Sequence, residues 1–153
     1  MAGEHFDIYQ PGTFTLLQVP RRPGAPGATL LRVEADARRM GDVCSLYFQA
    51  VNISGTWTNE SKPLIFVANA RGFPEGMKYN QWMHFGPVDL KVKYRKKGVE
   101  FLNIYANSVG RTGYAVGGLL GSDDHTAVSI RPRQCSHSAR RAMLASSVAE
   151  TQW

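Results

Sequence analysis

A chain of 153 residues, 43% hydrophobic and 20% charged, is long enough to bury one core of its own, which makes it a globular domain and excludes a disordered one. It has no run of about 18 apolar residues, which predicts no membrane-spanning helix, and no charged start followed by an apolar stretch, which predicts no signal peptide within these residues. The formal charge of +6 is dispersed over Arg21-Arg22, Arg38-Arg39, Lys91 to Lys97, Arg131 to Arg133 and Arg140-Arg141, which suits a solvated surface or a loosely anionic partner, a glycan or a membrane headgroup, and not a shaped nucleic-acid site.

Gly3 to Tyr9 reads as an opening strand, and Gln10-Pro11-Gly12-Thr13 as a turn with proline at its second position. Phe14 to Val19 is a strand between Pro11-Gly12 and Pro20, and the proline- and glycine-rich 21–28 stretch is an exposed connection. In Thr29 to Ala37, Leu31, Val33, Ala35 and Ala37 alternate with Arg32, Glu34 and Asp36, the period of a strand with one wet face. After a turn at Arg38 to Asp42, Val43 to Ile53 is β-branched and aromatic enough for a more central strand. Ser54-Gly55 ends it, and Trp57 caps one end of the core.

Pro63 to Ala68 is another short strand, and Arg71 to Gln81 is a loop leading into Trp82-Met83-His84-Phe85-Gly86. The clearest alternation follows: Val88, Leu90, Val92 and Tyr94 against Asp89, Lys91, Lys93 and Arg95. Lys96-Lys97-Gly98 predicts a hairpin connection, with Val99 to Tyr105 as the returning strand. Asn103 between Leu102 and Ile104 breaks that strand's alternation, which predicts either a bulge or a strand covered on both faces. Asn107 to Arg111 is a turn. Beyond Cys135, Ser138 to Glu150 has helical composition, but its arginines and Glu150 sit at the wrong ends for the helix dipole, so residues 136–153 read as a tail, flexible or marginally helical. About seven to nine short strands with regular turn residues predict an all-β fold, an antiparallel β-sandwich or barrel-like domain over residues 1–135.

The densest special chemistry lies at Gly117-Gly118-Leu119-Leu120-Gly121, a buried turn followed at once by Ser122, Asp123, Asp124 and His125. Asp123 and Asp124 are hard oxygen ligands on a loop and suit calcium, which takes about 6–8 oxygens, so backbone carbonyls and a second loop must contribute; Asp7 is the distant partner if the first strand lies beside the turn. The alternative is a polar turn whose aspartates accept backbone N–H bonds. A zinc site from His5, His125 and Asp123 lacks any HxxxH or CxxC spacing, and Ser122 beside Asp123 and His125 lacks a GxSxG elbow. Asn52-Ile53-Ser54 and Asn59-Glu60-Ser61 match the N-glycosylation pattern. Cys44 and Cys135 are too few for a zinc site and too far apart for a one-turn redox pair; one disulfide or two separate buried thiols both stay open. The basic row Lys91, Lys93, Arg95, Lys96 and Lys97 reads as a solvated face or a lysine-protected edge.

With both ends in view, Gly3-Glu4-His5-Phe6-Asp7 and Pro11-Gly12-Thr13-Phe14-Thr15-Leu16-Leu17 resemble the start of a von Willebrand factor type D domain, and Gly118-Leu119-Leu120-Gly121 resembles its Gly-Leu-Cys-Gly turn. The stretch from Gly3 to about Cys135 is also similar to D-like modules of large predicted proteins of unicellular algae and, in lacking the family's dense cysteines, to the C-terminal domain of inter-alpha-trypsin inhibitor heavy chains. Glu4 precedes His5 without a proline, Leu120 replaces the turn cysteine, and Ser122 stands where asparagine is usual.

The resemblance implies a calcium-associated loop at Asp123 and Asp124, an oxidised extracellular setting, a Cys44–Cys135 disulfide, and a chain that is a fragment of a larger protein. The expectation is a non-enzymatic extracellular or surface module that binds other protein domains, matrix or glycans, with no nucleic acid and no membrane span. Two other classes are kept: a carbohydrate-binding β-sandwich stacking sugars on Trp57, Trp82 and Tyr79, which exposed rings would favour, and a metal-dependent hydrolase using His5, Asp123 and His125.

Overall fold

A computed structural model describes residues 10–22, 24, 28–39, 46–68, 78–121 and 144–145. The fold is all-β. Eight strands run in the order β1 (Gly12–Val19), β2 (Leu31–Arg39), β3 (Leu46–Ser54), β4 (Leu64–Val67), β5 (Trp82–Phe85), β6 (Val88–Lys97), β7 (Val99–Asn107) and β8 (Leu144–Ala145), with short 3-10 turns at Thr56–Thr58 and Val109–Arg111. Among the described residues every strand pairing is antiparallel except that of β7 with β8.

The sheet order is β1-β2-β3-β7-β6-β5, with β4 on β3 and β8 on β7. Strand β3 divides its free side: Ala50 to Ile53 pair with β4, while Phe48 alone pairs with Leu102 of β7. The sheet therefore has two halves joined by one narrow ladder, which Gln49 reinforces by donating its Nε2 to the Glu100 carbonyl at 2.9 Å. Both halves feed one sandwich-like core. Leu17, Val33 and Ile53 come from one half, Leu90, Val92 and Ile104 from the other, and all belong to the same buried cluster.

Period-2 burial explains the strands where one face is wet. In β2, Leu31, Val33, Ala35 and Ala37 are buried while Arg32 and Arg38 are exposed; in β6, Val88, Leu90 and Val92 are buried and the intervening charges are half-exposed. Burying each of the leucine and valine side chains contributes about 1.5–3 kcal/mol, and each alanine less.

Several boundaries differ from the expectation. Gly12 belongs to β1 and not to the preceding turn, and β2 continues to Arg39, because β1 and β2 stay paired, across one register shift, from Gly12↔Ala37 to Val19↔Leu31, and β2 and β3, across another, as far as Arg39↔Leu46. The β6–β7 ladder runs to Lys97↔Val99, leaving Gly98 alone at the tip where a three-residue connection was expected. Trp82–Phe85, too short for its alternation to register, is strand β5, turned onto β6 by Gly86-Pro87. Of the segment 136–153, expected as a flexible or marginally helical tail, Leu144 and Ala145 are described, and they pair in parallel with β7 at Ile104 and Tyr105. The rest of that segment, the opening strand at 3–9, and Val43 to Ser45 lie outside the described residues.

Candidate functional site

Of the residues singled out in the sequence, Asp7, Asp123 and Asp124, with His5, Ser122 and His125, lie outside the described residues, as do Cys44 and Cys135. The glycine turn that precedes the acidic residues is described, and its geometry is specific. Strand β1 carries a register shift between Thr15 and Leu17 against β2, which makes Leu16 an extra residue. Along that bulge, the turn attaches to the free edge of β1. Gln18 and Gly117 exchange N–H···O bonds at 3.0 and 2.9 Å, Leu119 N–H donates to the Thr15 carbonyl at 3.0 Å, and Leu120 N–H donates to the Leu16 carbonyl at 2.8 Å. Leu119 and Leu120 both enter the core.

Only glycine fits at position 118. Its φ is +91°, and a Cβ there would stand 2.5 Å from the Leu16 backbone carbonyl. Gly121 closes the turn by donating its N–H to the Gly118 carbonyl at 2.9 Å. Beside it, Thr15, Gln18, Arg21, Arg22, Gly117 and Gly118 line an open depression of about 310 Å³.

The two sequon asparagines are both exposed. Asn52 sits on β3 and Asn59 ends the first 3-10 turn in a left-handed conformation, φ 57°. Of the three aromatics considered as sugar platforms, Tyr79 is buried and Trp57 and Trp82 are half-buried. Tyr79 is 5% exposed, its ring edge meets Phe66 at 5.0 Å, and its hydroxyl accepts from Val67 N–H and donates to Val67 C=O, sealing that stretch of the β4 edge. Trp57 packs on the core under Gly86 and meets Tyr114 edge-on at 6.2 Å. Trp82 packs on Tyr105 and carries the Lys91 ammonium 5.4 Å over its ring.

Asn103 resolves its own ambiguity. The β6–β7 register is unbroken, so there is no bulge; instead Phe101 through Ala106 are all buried and β7 is covered on both faces. Its Nδ2 donates to the Tyr105 hydroxyl at 3.4 Å, and its Oδ1 has no partner among the described residues.

Sequence reading missed two features. Between β4 and β5 lies a cleft of about 290 Å³, with Leu64, Phe66 and Phe85 as apolar lining and Glu60, Lys78 and His84 among its polar residues. His84 and Asp89 face each other across the β5–β6 ladder with Nδ1 and Oδ1 2.5 Å apart. The five-residue separation of a histidine and an aspartate around Gly86-Pro87 was the available signal, legible once the two-residue hairpin is known.

The second feature is how the charges of the outer faces pair, which the basic row and the wet face read from the sequence did not reveal. On β2 two of the arginines have a carboxylate two residues away: Arg32 to Glu34 at 3.2 Å and Arg38 to Asp36 at 2.8 Å. On β6, Lys91, Lys93 and Arg95 form a single-sign row, and neither Lys93 nor Arg95 makes an ion pair among the described residues.

Among the described residues no group of three or more His, Cys, Asp or Glu gathers as a metal site, and no helix is long and apolar enough to cross a membrane. Comparison with protein-family models, with curated proteins and with solved structures returns no match.

Proposed function

We propose that this chain is a non-enzymatic β-module, an interaction or structural unit of a larger extracellular or surface protein, of the type D-like kind, and that Asp123 and Asp124, with Asp7, hold a stabilising calcium ion. The observation that supports it most is the glycine turn. Gly117 to Leu120 is bonded to the β1 edge and anchored by two core leucines, so the chain enters Ser122-Asp123-Asp124 from a rigid platform, which is what a loop donating several oxygens to one cation requires. Exposure of Asn52 and Asn59 supports a glycosylated, secreted setting, in which a Cys44–Cys135 disulfide would form. Sugar stacking is not carried forward, because Tyr79, Trp57 and Trp82 are engaged by Val67, Tyr114 and Lys91.

Thermal melts of the non-reduced protein in EDTA, calcium and zinc, repeated with Asp123→Ala/Asp124→Ala, test this reading. A ligand that binds only the folded state raises its stability by mass action. A rise of several degrees in calcium, lost in the double variant, is the expected result; an unchanged melt in calcium reduces both aspartates to turn residues, and a shift in zinc alone supports the hydrolase class instead.

A further inference from the structure

We infer that the outer face of β6 is a docking surface for a linear sulfated glycan, with Lys93 and Arg95 as its principal contacts and Lys91 at its end. The inference rests on the interaction-module reading and names the partner chemistry; its test is independent of calcium, so either can fail without the other.

The face is made by the alternation of β6. Val88, Leu90 and Val92 point into the core at 0% exposure, so Lys91, Lys93 and Arg95 project together on the other side. Alternate residues of an antiparallel strand are about 6.8 Å apart, which puts the three cations in a straight row about 14 Å long. Such a row repels itself unless an anion neutralises it. The chain neutralises the equivalent row on β2 internally, through Glu34 and Asp36. On β6 the one carboxylate of the outer face, Asp89, is paired with His84 at the far end. Lys93 and Arg95 are left half-exposed and without an ion pair among the described residues.

The surroundings select the kind of polyanion. The neighbouring row on β7, Phe101, Asn103 and Tyr105, is buried, and Trp82 has its ring under Lys91. Among the described residues the one ring beside the cations, Trp82, is half-buried, packed on Tyr105 and covered by Lys91, which suits it poorly to the base stacking that single-stranded nucleic acid uses. Because β7 is covered on its outer face, the β6–β7 hairpin is not a free two-stranded ribbon that could enter a duplex groove. A flat, single-sign strand face next to a closed surface suits a chain that carries its charge along its length and is held by charge alone. Arginine adds a planar fork for an oxyanion, and lysine a point charge.

The test measures binding of the full chain to immobilised heparin at 50 and 200 mM salt, with its desulfated form, duplex DNA and anionic phosphatidylserine vesicles as alternatives. Lys93→Gln/Arg95→Gln is compared with Arg32→Gln/Arg38→Gln, which removes the same charge from β2, and a melt of each variant checks its fold. Wild-type binding to heparin is expected, with loss of affinity as salt rises and no binding to the desulfated form. The β6 variant should lose about tenfold or more in affinity at low salt and flatten the salt dependence, and the β2 variant should change affinity less than about twofold. Equal losses in both variants, equal binding of the desulfated chain, or tighter binding to DNA or vesicles at the same salt would each overturn the assignment. The desulfated comparison uses only wild-type protein, so it decides the matter even if the β6 variant does not fold.

Discussion

The β1–β2 side of the sheet and the β6–β7 side use the same period-2 alternation, and they differ in where their polar groups end. On the first side the chain pairs with itself. The edge of β1 is covered by the main chain of Gly117 to Leu120, and the outer charges of β2 meet as Arg32–Glu34 and Arg38–Asp36. On the second side, one residue replaces a strand beyond the end of β5: Asn80, at φ 64°, donates its backbone N–H to the Val92 carbonyl and accepts the Tyr94 N–H on its side-chain Oδ1, each at 2.8 Å. The cations Lys93 and Arg95 are left without ion partners among the described residues. The difference teaches that one half of the sheet is closed structure and the other presents chemistry outward.

The largest effect that would break this comparison is at the glycines of the two sides. Gly118→Ala drives a Cβ into the Leu16 backbone at a positive φ and should cost about 3 kcal/mol or more. Gly98 at the hairpin tip has φ 78° but nothing within 4 Å of its Cβ direction, so Gly98→Ala bears only the backbone penalty of about 1–2 kcal/mol. Urea unfolding of both variants checks the order; equal losses would mean that the turn is not pressed against β1.

A smaller effect sharpens the other edge. Asn80→Gly keeps the left-handed backbone and removes the acceptor for Tyr94 N–H, which should cost about 0.5–1.5 kcal/mol. Asn80→Ala loses the acceptor and also strains φ, so it should be the worse of the two, and the same unfolding series distinguishes them. An Asn80→Gly variant as stable as wild type would show that water replaces the amide without cost.

The smallest effect is read against pH. The Tyr94 hydroxyl donates to the Glu100 carboxylate, and that hydrogen bond, with some burial and the carboxylate's charge, raises the phenol above its ordinary value of 10.0. A raised phenol stabilises the fold fully below about pH 10, and the contribution is lost as pH rises through the folded-state value. The stability difference between wild type and Tyr94→Phe should therefore be flat from pH 8 to about 10 and then shrink. A difference that grows above pH 10 would mean that the bond does not hold the phenol protonated.

How much of this was legible depends on how local each signal is. In β2 and β6 every second residue is apolar and the others are charged, so strand, inward face and outward face follow from one stretch of chain. Asn103 announced an irregularity, but bulge and double coverage give the same local pattern, and only the unbroken β6–β7 register separates them. Strand β5 is four residues long, below the length at which alternation stands out, and its hairpin placed the unforeseen His84–Asp89 pair. Trp57, Trp82 and Tyr79 were equally good as sugar platforms or as packing residues, because a ring's composition does not say which face a distant residue covers.

The sequence by itself determined the all-β class, the wet and dry faces of the longer strands, and the need for special backbone at Gly117 to Gly121, since backbone sterics and side-chain alternation act over a few residues. Tertiary structure decided which edge the glycine turn seals, that β7 is covered on both faces, and that Arg32 and Arg38 of β2 meet carboxylates while Lys93 and Arg95 of β6 meet none among the described residues. Those outcomes depend on contacts between segments up to about a hundred residues apart, Leu16 with Leu120 among them, and such contacts are set by how the two halves of the sheet close over one core.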